Sequence, residues 1–167
     1  MFGFFRYKAS LKLCIKAVAD ALAPVRMLAQ LQSLPLPNTL FGDAYVLGFF
    51  QAYLTFVMQL GRKNPIEPFE QLQIFTSAVD FYVPGSREKI IEILGQLNDS
   101  AHPFHQHYVT GRRDGLTYVE ELQSGKYNGE FPPGGVPVVV PGLHDFIQFL
   151  KKNYLGKSAA ETMAGTS

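Results

Sequence analysis

Three histidines fall within six residues in His102-Pro103-Phe104-His105-Gln106-His107, with Asp99 upstream and Asp114, Glu120 and Glu121 downstream. Imidazole and carboxylate together suit a transition metal such as Zn, Fe, Ni or Cu. His102, His105 and His107 are therefore the candidate metal ligands, with His144 and Asp145 as distant contributors, and a metal ion is the one cofactor the residues suggest. The spacing argues against chelation. On a helix, residues two apart point to different sides, so His105 and His107 need irregular backbone to share an ion. Pro103 disfavours helical geometry at His102. The plainer alternative is an interhelical loop whose histidines bond locally.

Gly111-Arg112-Arg113-Asp114-Gly115 reads as a charged turn leading into a helix. Arg112 and Arg113, placed beside a helix N-terminus, are candidate anion-binding residues for a phosphate or carboxylate. The alternative is a solvated turn in which Asp114 caps the helix and neutralises one arginine. No glycine-rich phosphate cradle accompanies the pair, and no GxSxG, HExxH or GxGxxG pattern occurs in the chain. Cys14 is the single cysteine, which excludes an intrachain disulfide framework and fits a reducing, cytoplasmic setting. It lies near an apolar helix face and reads as core packing. No side chain stands out as acid, base or nucleophile, so the sequence leans away from an enzyme.

The N-terminal run Met1-Phe2-Gly3-Phe4-Phe5-Arg6-Tyr7-Lys8 interleaves aromatics with cations, and Lys12 and Lys16 follow before any acid. Residues 1–9 read as an aromatic arm. Phe2, Phe4, Phe5 and Tyr7 can pack on the bundle or on a second protein, or dip into a lipid surface while the cations meet anionic headgroups. A secretory signal is not expected, because Lys16 and Asp20 interrupt the only apolar stretch long enough to serve.

The elements that must position these residues are helical. From Ser10, read as an N-cap, Leu11, Ile15, Val18, Leu22, Val25 and Ala29 recur at helical spacing, with Pro24 expected to kink or divide the helix. Ala44 to Gly61 then runs eighteen residues without a charge. Such a segment must leave water, in a core or in a bilayer. Gln51, Tyr53, Thr55 and Gln59 make it too polar for a comfortable single span, so it reads as the buried central helix, about 41–61. Gly48, Ala52, Thr55 and Gln59 form a stripe of small or neutral polar groups that lets another helix come close, and Phe49, Phe56 and Leu60 form another face.

Phe69, Leu72, Thr76, Val79 and Val83 mark the inner face of a third helix that starts at Pro68 and ends at Pro84-Gly85. Ser86 is expected to cap a fourth, with Ile90, Ile93, Leu94 and Leu97 inward. Pieces over 103–110 and 116–123 follow. Residues 125–142 hold five Gly and four Pro and read as an extended strap containing Phe131, Val138, Val139 and Val140. A last amphipathic helix from Leu143 turns Phe146, Ile147, Leu150 and Tyr154 inward, and residues 157–167 are a small, polar tail.

The fold expected is mainly α: one domain over 1–156, about six helices around the aromatic helix. Net charge +1 offers no basic field for nucleic acid. The function expected is a soluble α-helical interaction module that self-associates or docks to a protein partner through Phe2, Phe4, Phe5, Tyr7, Phe131 and Val138–Val140. The alternatives are a metal or small-ligand site at His102, His105 and His107, and peripheral attachment to a membrane surface through the N-terminal arm.

Overall fold

The computed structural model describes residues 2–31, 38–60, 62–124 and 141–155. Six α-helices occur among them: α1 (Phe2–Leu31), α2 (Ala44–Gln59), α3 (Pro68–Tyr82), α4 (Arg87–Leu97), α5 (His105–Gln123) and α6 (Pro141–Leu150). A 3-10 turn, Asn38–Gly42, leads into α2, and a π-helical turn, Lys151–Leu155, follows α6. The mainly α single-domain bundle expected from the sequence is the fold found. Among the described residues no helix is long and apolar enough to cross a membrane.

The neutral segment is the bundle's centre. Asp43 starts α2, its Oδ1 accepting the N–H of Tyr45 at 2.8 Å and of Val46 at 3.2 Å, which satisfies two of the helix's orphan donors. Along α2, Val46, Leu47, Phe49, Phe50 and Leu54 are fully buried. Its polar groups find partners inside the fold. Tyr108 donates its hydroxyl proton to Gln51 Oε1, and Thr55 donates back to the Gln51 carbonyl at 2.7 Å. Much of the aromatic load becomes a packed cluster, while Phe69, Phe81 and Phe104 stay exposed. Phe146 of α6 stacks on Phe49 at 3.9 Å between ring centroids and meets Phe50 edge-on at 5.4 Å.

The closest packing is between α2 and α5. Gly48 and Ala52 of α2 face Gly111 and Gly115 of α5, and a Cβ on Gly111 would collide with the Tyr45 carbonyl oxygen. Gly48 is blocked in the same way by the Tyr108 carbonyl. Gly48 and Ala52 of the small stripe read on α2 thus lie against a helix, as expected. The reading of residues 111–115 as a turn is corrected: they lie mid-helix, and their glycines serve close backbone approach. The two pieces expected over 103–110 and 116–123 are one helix.

Several other expectations change. Residues 2–31 form one helix, so the arm over 1–9 is the beginning of α1 from Phe2 onward, and Pro24 does not divide it. Ser10 is a buried residue inside that helix, not a cap. Ser86 precedes α4 but makes no side-chain cap, and its backbone N–H is instead taken by Asp80 Oδ1 at 2.9 Å. Phe69, expected inward, is 71% exposed. The strap's last two residues, Pro141 and Gly142, belong to α6. Proline tolerates a first helical turn, and Gly142 lies against the Tyr118 backbone while donating to Glu121 Oε2 at 3.0 Å.

Candidate functional site

A cleft of about 1020 Å³ opens between the first half of α1 and the connector from α2 to α3. Arg6, Ser10 and Leu13 line it from α1, Leu60, Arg62, Lys63, Asn64 and Pro65 from the connector, and Glu67 and Glu70 at the start of α3. Its frame is pinned by Arg62. The Nη2 group of that residue donates to Ser10 Oγ at 2.8 Å and to Glu70 Oε1 at 3.2 Å, tying connector, α1 and α3 together. The Arg62 side chain is only 18% exposed and Glu70 34%, so the pair is partly shielded from water. Nearby, the Tyr7 hydroxyl and Ser77 Oγ share a hydrogen bond at 3.0 Å that fixes α1 on α3.

Two leucines stand open in this cleft, Leu13 at 45% and Leu60 at 51% exposure. Arg6 and Lys63 are exposed on its rim, while Glu67 supplies an exposed carboxylate at the α3 end. With Arg62 and Glu70 paired, the remaining rim carries two cations against one acid. Apolar side chains flanked by charge of both signs suit a polypeptide surface better than a single small anion. Cys14, one turn beyond Ser10, offers no thiol chemistry. Burial pushes its thiol up to about 12, with the Arg62 charge pulling the other way.

The histidines expected as ligands are not gathered. His105 Nδ1 is 2.8 Å from the Leu97 carbonyl oxygen, and His102 Nδ1 accepts the Phe104 N–H at 3.3 Å. His107 is exposed, and the Phe104 ring lies 5.9 Å from the His102 ring and 6.0 Å from that of His107. Among the described residues no group of three His, Cys, Asp or Glu could hold a metal ion. Arg112 and Arg113 sit on the solvent side of α5, away from its N-terminus at His105. The Arg112 guanidinium lies 5.8 Å from the Tyr108 ring centre, and Arg113 Nε contacts Asp114 Oδ1 at 3.2 Å. Asp114 itself accepts the Tyr45 hydroxyl at 2.8 Å, fastening α5 to α2. Burial first, and then that hydrogen bond, push the Tyr45 phenol far above its ordinary range.

Of the expected interaction residues, Tyr7 lies at the cleft. Phe2, Phe4 and Phe5 have their backbone in the start of α1, with side chains outside the described residues. Phe131 and Val138–Val140 lie outside them altogether, as does the tail over 157–167. The cleft residues Ser10, Leu13, Leu60, Arg62 and Lys63 are the ones sequence reasoning missed. The available signal was a serine four residues before Cys14 on one helix face, and a basic pair directly after the neutral helix. No family model, curated protein or solved structure matches this chain.

Proposed function

We propose that this chain is an α-helical protein-interaction module of the cytoplasm that docks a segment of a protein partner in the cleft between α1 and the connector to α3. The observation that carries this reading is the pair of open leucines, Leu13 and Leu60, beside the rim charges Arg6, Lys63 and Glu67 on a frame held by Arg62. An exposed leucine alone is ordinary, but two in one concave site with charges around them resemble the apolar centre and polar rim of a docking surface. The volume lies at the upper end of the range for ligand pockets and the cleft opens to solvent, which leaves room for several partner side chains. The fitting occupant is an amphipathic segment with apolar side chains on the leucines and a carboxylate toward Arg6 and Lys63.

Co-purification with the full chain as bait tests this, comparing wild type with Leu60→Asp and Lys63→Glu. Both positions are exposed, so the variants fold. The reading expects a protein retained by wild type and lost from both variants. Light scattering on the purified chain separates a second copy from a different partner: a mass that doubles with concentration, and reverts in Leu60→Asp, makes the partner another copy. A chain that stays monomeric and retains the same proteins as Leu60→Asp contradicts the proposal.

A further inference from the structure

An occupant of the cleft has to match its chemistry: open leucines, the cations Arg6 and Lys63, and the carboxylate of Glu67. It must therefore show an exposed apolar side chain between carboxylates, with a cation at the flank. The outer surface of α4 has this composition. Glu88, Ile91, Glu92 and Gly95 stand at i, i+3, i+4 and i+7, which puts them together on one side of the helix. Ile91 is 41% exposed, and Glu88, Glu92 and the flanking Arg87 and Lys89 are exposed as well. Gly95 has nothing within 4 Å of where a Cβ would be, so no side chain there obstructs an approaching wall.

Other exposed apolar side chains fit the cleft less well. Met27 adjoins Arg26, and Val109 and Leu116 adjoin Arg112 and Arg113, so like charge would face Arg6 and Lys63. Phe81 adjoins Asp80, whose carboxylate already accepts the Ser86 N–H. Among the described residues Arg6, Lys63, Glu88 and Glu92 enter no ion pair. Glu88 and Glu92 repel each other four residues apart, and Glu92 accepts from the neutral Gln96 at 3.3 Å. A cation brought between them removes that repulsion. Within its own chain α4 packs on α3 and the Asn38–Gly42 turn through Ile90, Leu94 and Leu97, and it lines no part of the cleft. We propose that the occupant of the cleft is the outer face of α4 from a second copy of this chain, an inference that rests on the docking reading above. Ile91 meets Leu13 and Leu60, while Glu88 and Glu92 meet Arg6 and Lys63. The contact joins two different patches, so a pair keeps one open cleft and one open α4 face. Eleven residues of helix are about 16 Å long, which places the contact in the weak, transient class.

Sedimentation of the purified full chain over a range of concentrations tests it, with Leu60→Asp and Ile91→Asp run alone and as an equimolar mixture. Wild type should gain mass with concentration, less so at high salt. Each variant should weaken that association at least about tenfold, as loss of a central apolar anchor does. The mixture should form a pair and stop there. Leu60→Asp still offers an intact α4 face and Ile91→Asp an intact cleft, so one sound contact forms and the other ends are blocked. Recovery in the mixture also shows that both variants are folded. A monomeric wild type, a mixture that stays monomeric, or self-association lost in Ile91→Asp but kept in Leu60→Asp overturns the inference. The docking reading fails separately. A monomeric chain that retains another protein, loses it in Leu60→Asp and keeps it in Ile91→Asp leaves the cleft a docking site and removes α4 as its occupant.

Discussion

Replacing Gly111 by alanine should destabilise the protein even though alanine is the better helix former. On α5 the added methyl would meet three α2 backbone atoms: the Tyr45 carbonyl oxygen, the Tyr45 carbonyl carbon at 2.8 Å and Phe49 N at 3.0 Å. None of these is the end of a flexible side chain, so relief requires the two helices to part. Overpacking a core costs about 1–3 kcal/mol where side chains can yield, and backbone neighbours put this site at or above the upper end. The intrinsic helix gain of glycine to alanine returns about 1 kcal/mol. The net loss is about 2 kcal/mol or more, a fall in Tm of at least roughly 4–8 °C for a chain of this size. Gly95→Ala in α4 is the matched comparison, since nothing lies within 4 Å of its added methyl. It should gain about 0.5–1 kcal/mol. Urea unfolding of both variants, with unchanged m, measures the pair. Equal signs for the two substitutions, or a stabilised Gly111→Ala, would refute the close approach of α2 and α5.

Alkaline pH should unfold the chain cooperatively. Burial, the largest cause in each case, raises the phenols of Tyr45, Tyr53, Tyr82, Tyr108 and Tyr154. Their contribution is complete below the unfolded value of about 10 and is lost as pH rises toward the folded values, at up to about 1.4 kcal/mol per pH unit for each phenol. Tyrosinate absorbance should therefore appear together with loss of helix, and phenols that ionise near pH 10 while the circular dichroism stays native would contradict this. Cys14, fully buried with its thiol near 12, should resist a disulfide reagent at pH 8 and react at once in denaturant; rapid labelling of the native chain would show the site to be open. Tyr154→Phe removes the 2.9 Å bond from the π-helical turn to Asp43 Oδ2, and should cost about 1–2 kcal/mol. A variant as stable as wild type would mean that bond contributes nothing to holding the C-terminal turn on α2.

The sequence made α2 legible because its signal is local and redundant. Charge is missing along its whole length, and the small stripe at Gly48 and Ala52 repeats at helical spacing. The inner faces of α4 and α6 were equally readable, and Ile90, Leu94, Leu97, Phe146, Ile147 and Leu150 are buried. Gly111 and Gly115 misled because glycine beside three charged residues is a turn signal in isolation, whereas here the glycines exist for a helix far away in the chain, against Tyr45, Phe49 and Ala52. Ser10 misled in a similar way. A serine before an apolar stripe reads as a cap, yet its hydroxyl serves Arg62 across the bundle. The cleft was invisible for the same reason. Its parts come from α1, the connector and α3, and only tertiary contact places two leucines and a pinned guanidinium together.

The most direct test of the docking role is a photo-crosslinking amino acid at Leu60, introduced into the full chain and illuminated in living cells. The same residue at Leu116 on the exposed face of α5 serves as the reference. A discrete adduct formed from position 60 and abolished by Lys63→Glu, with none from position 116, is the predicted outcome. No adduct at position 60, or the same products from both positions, would show that the cleft holds no partner.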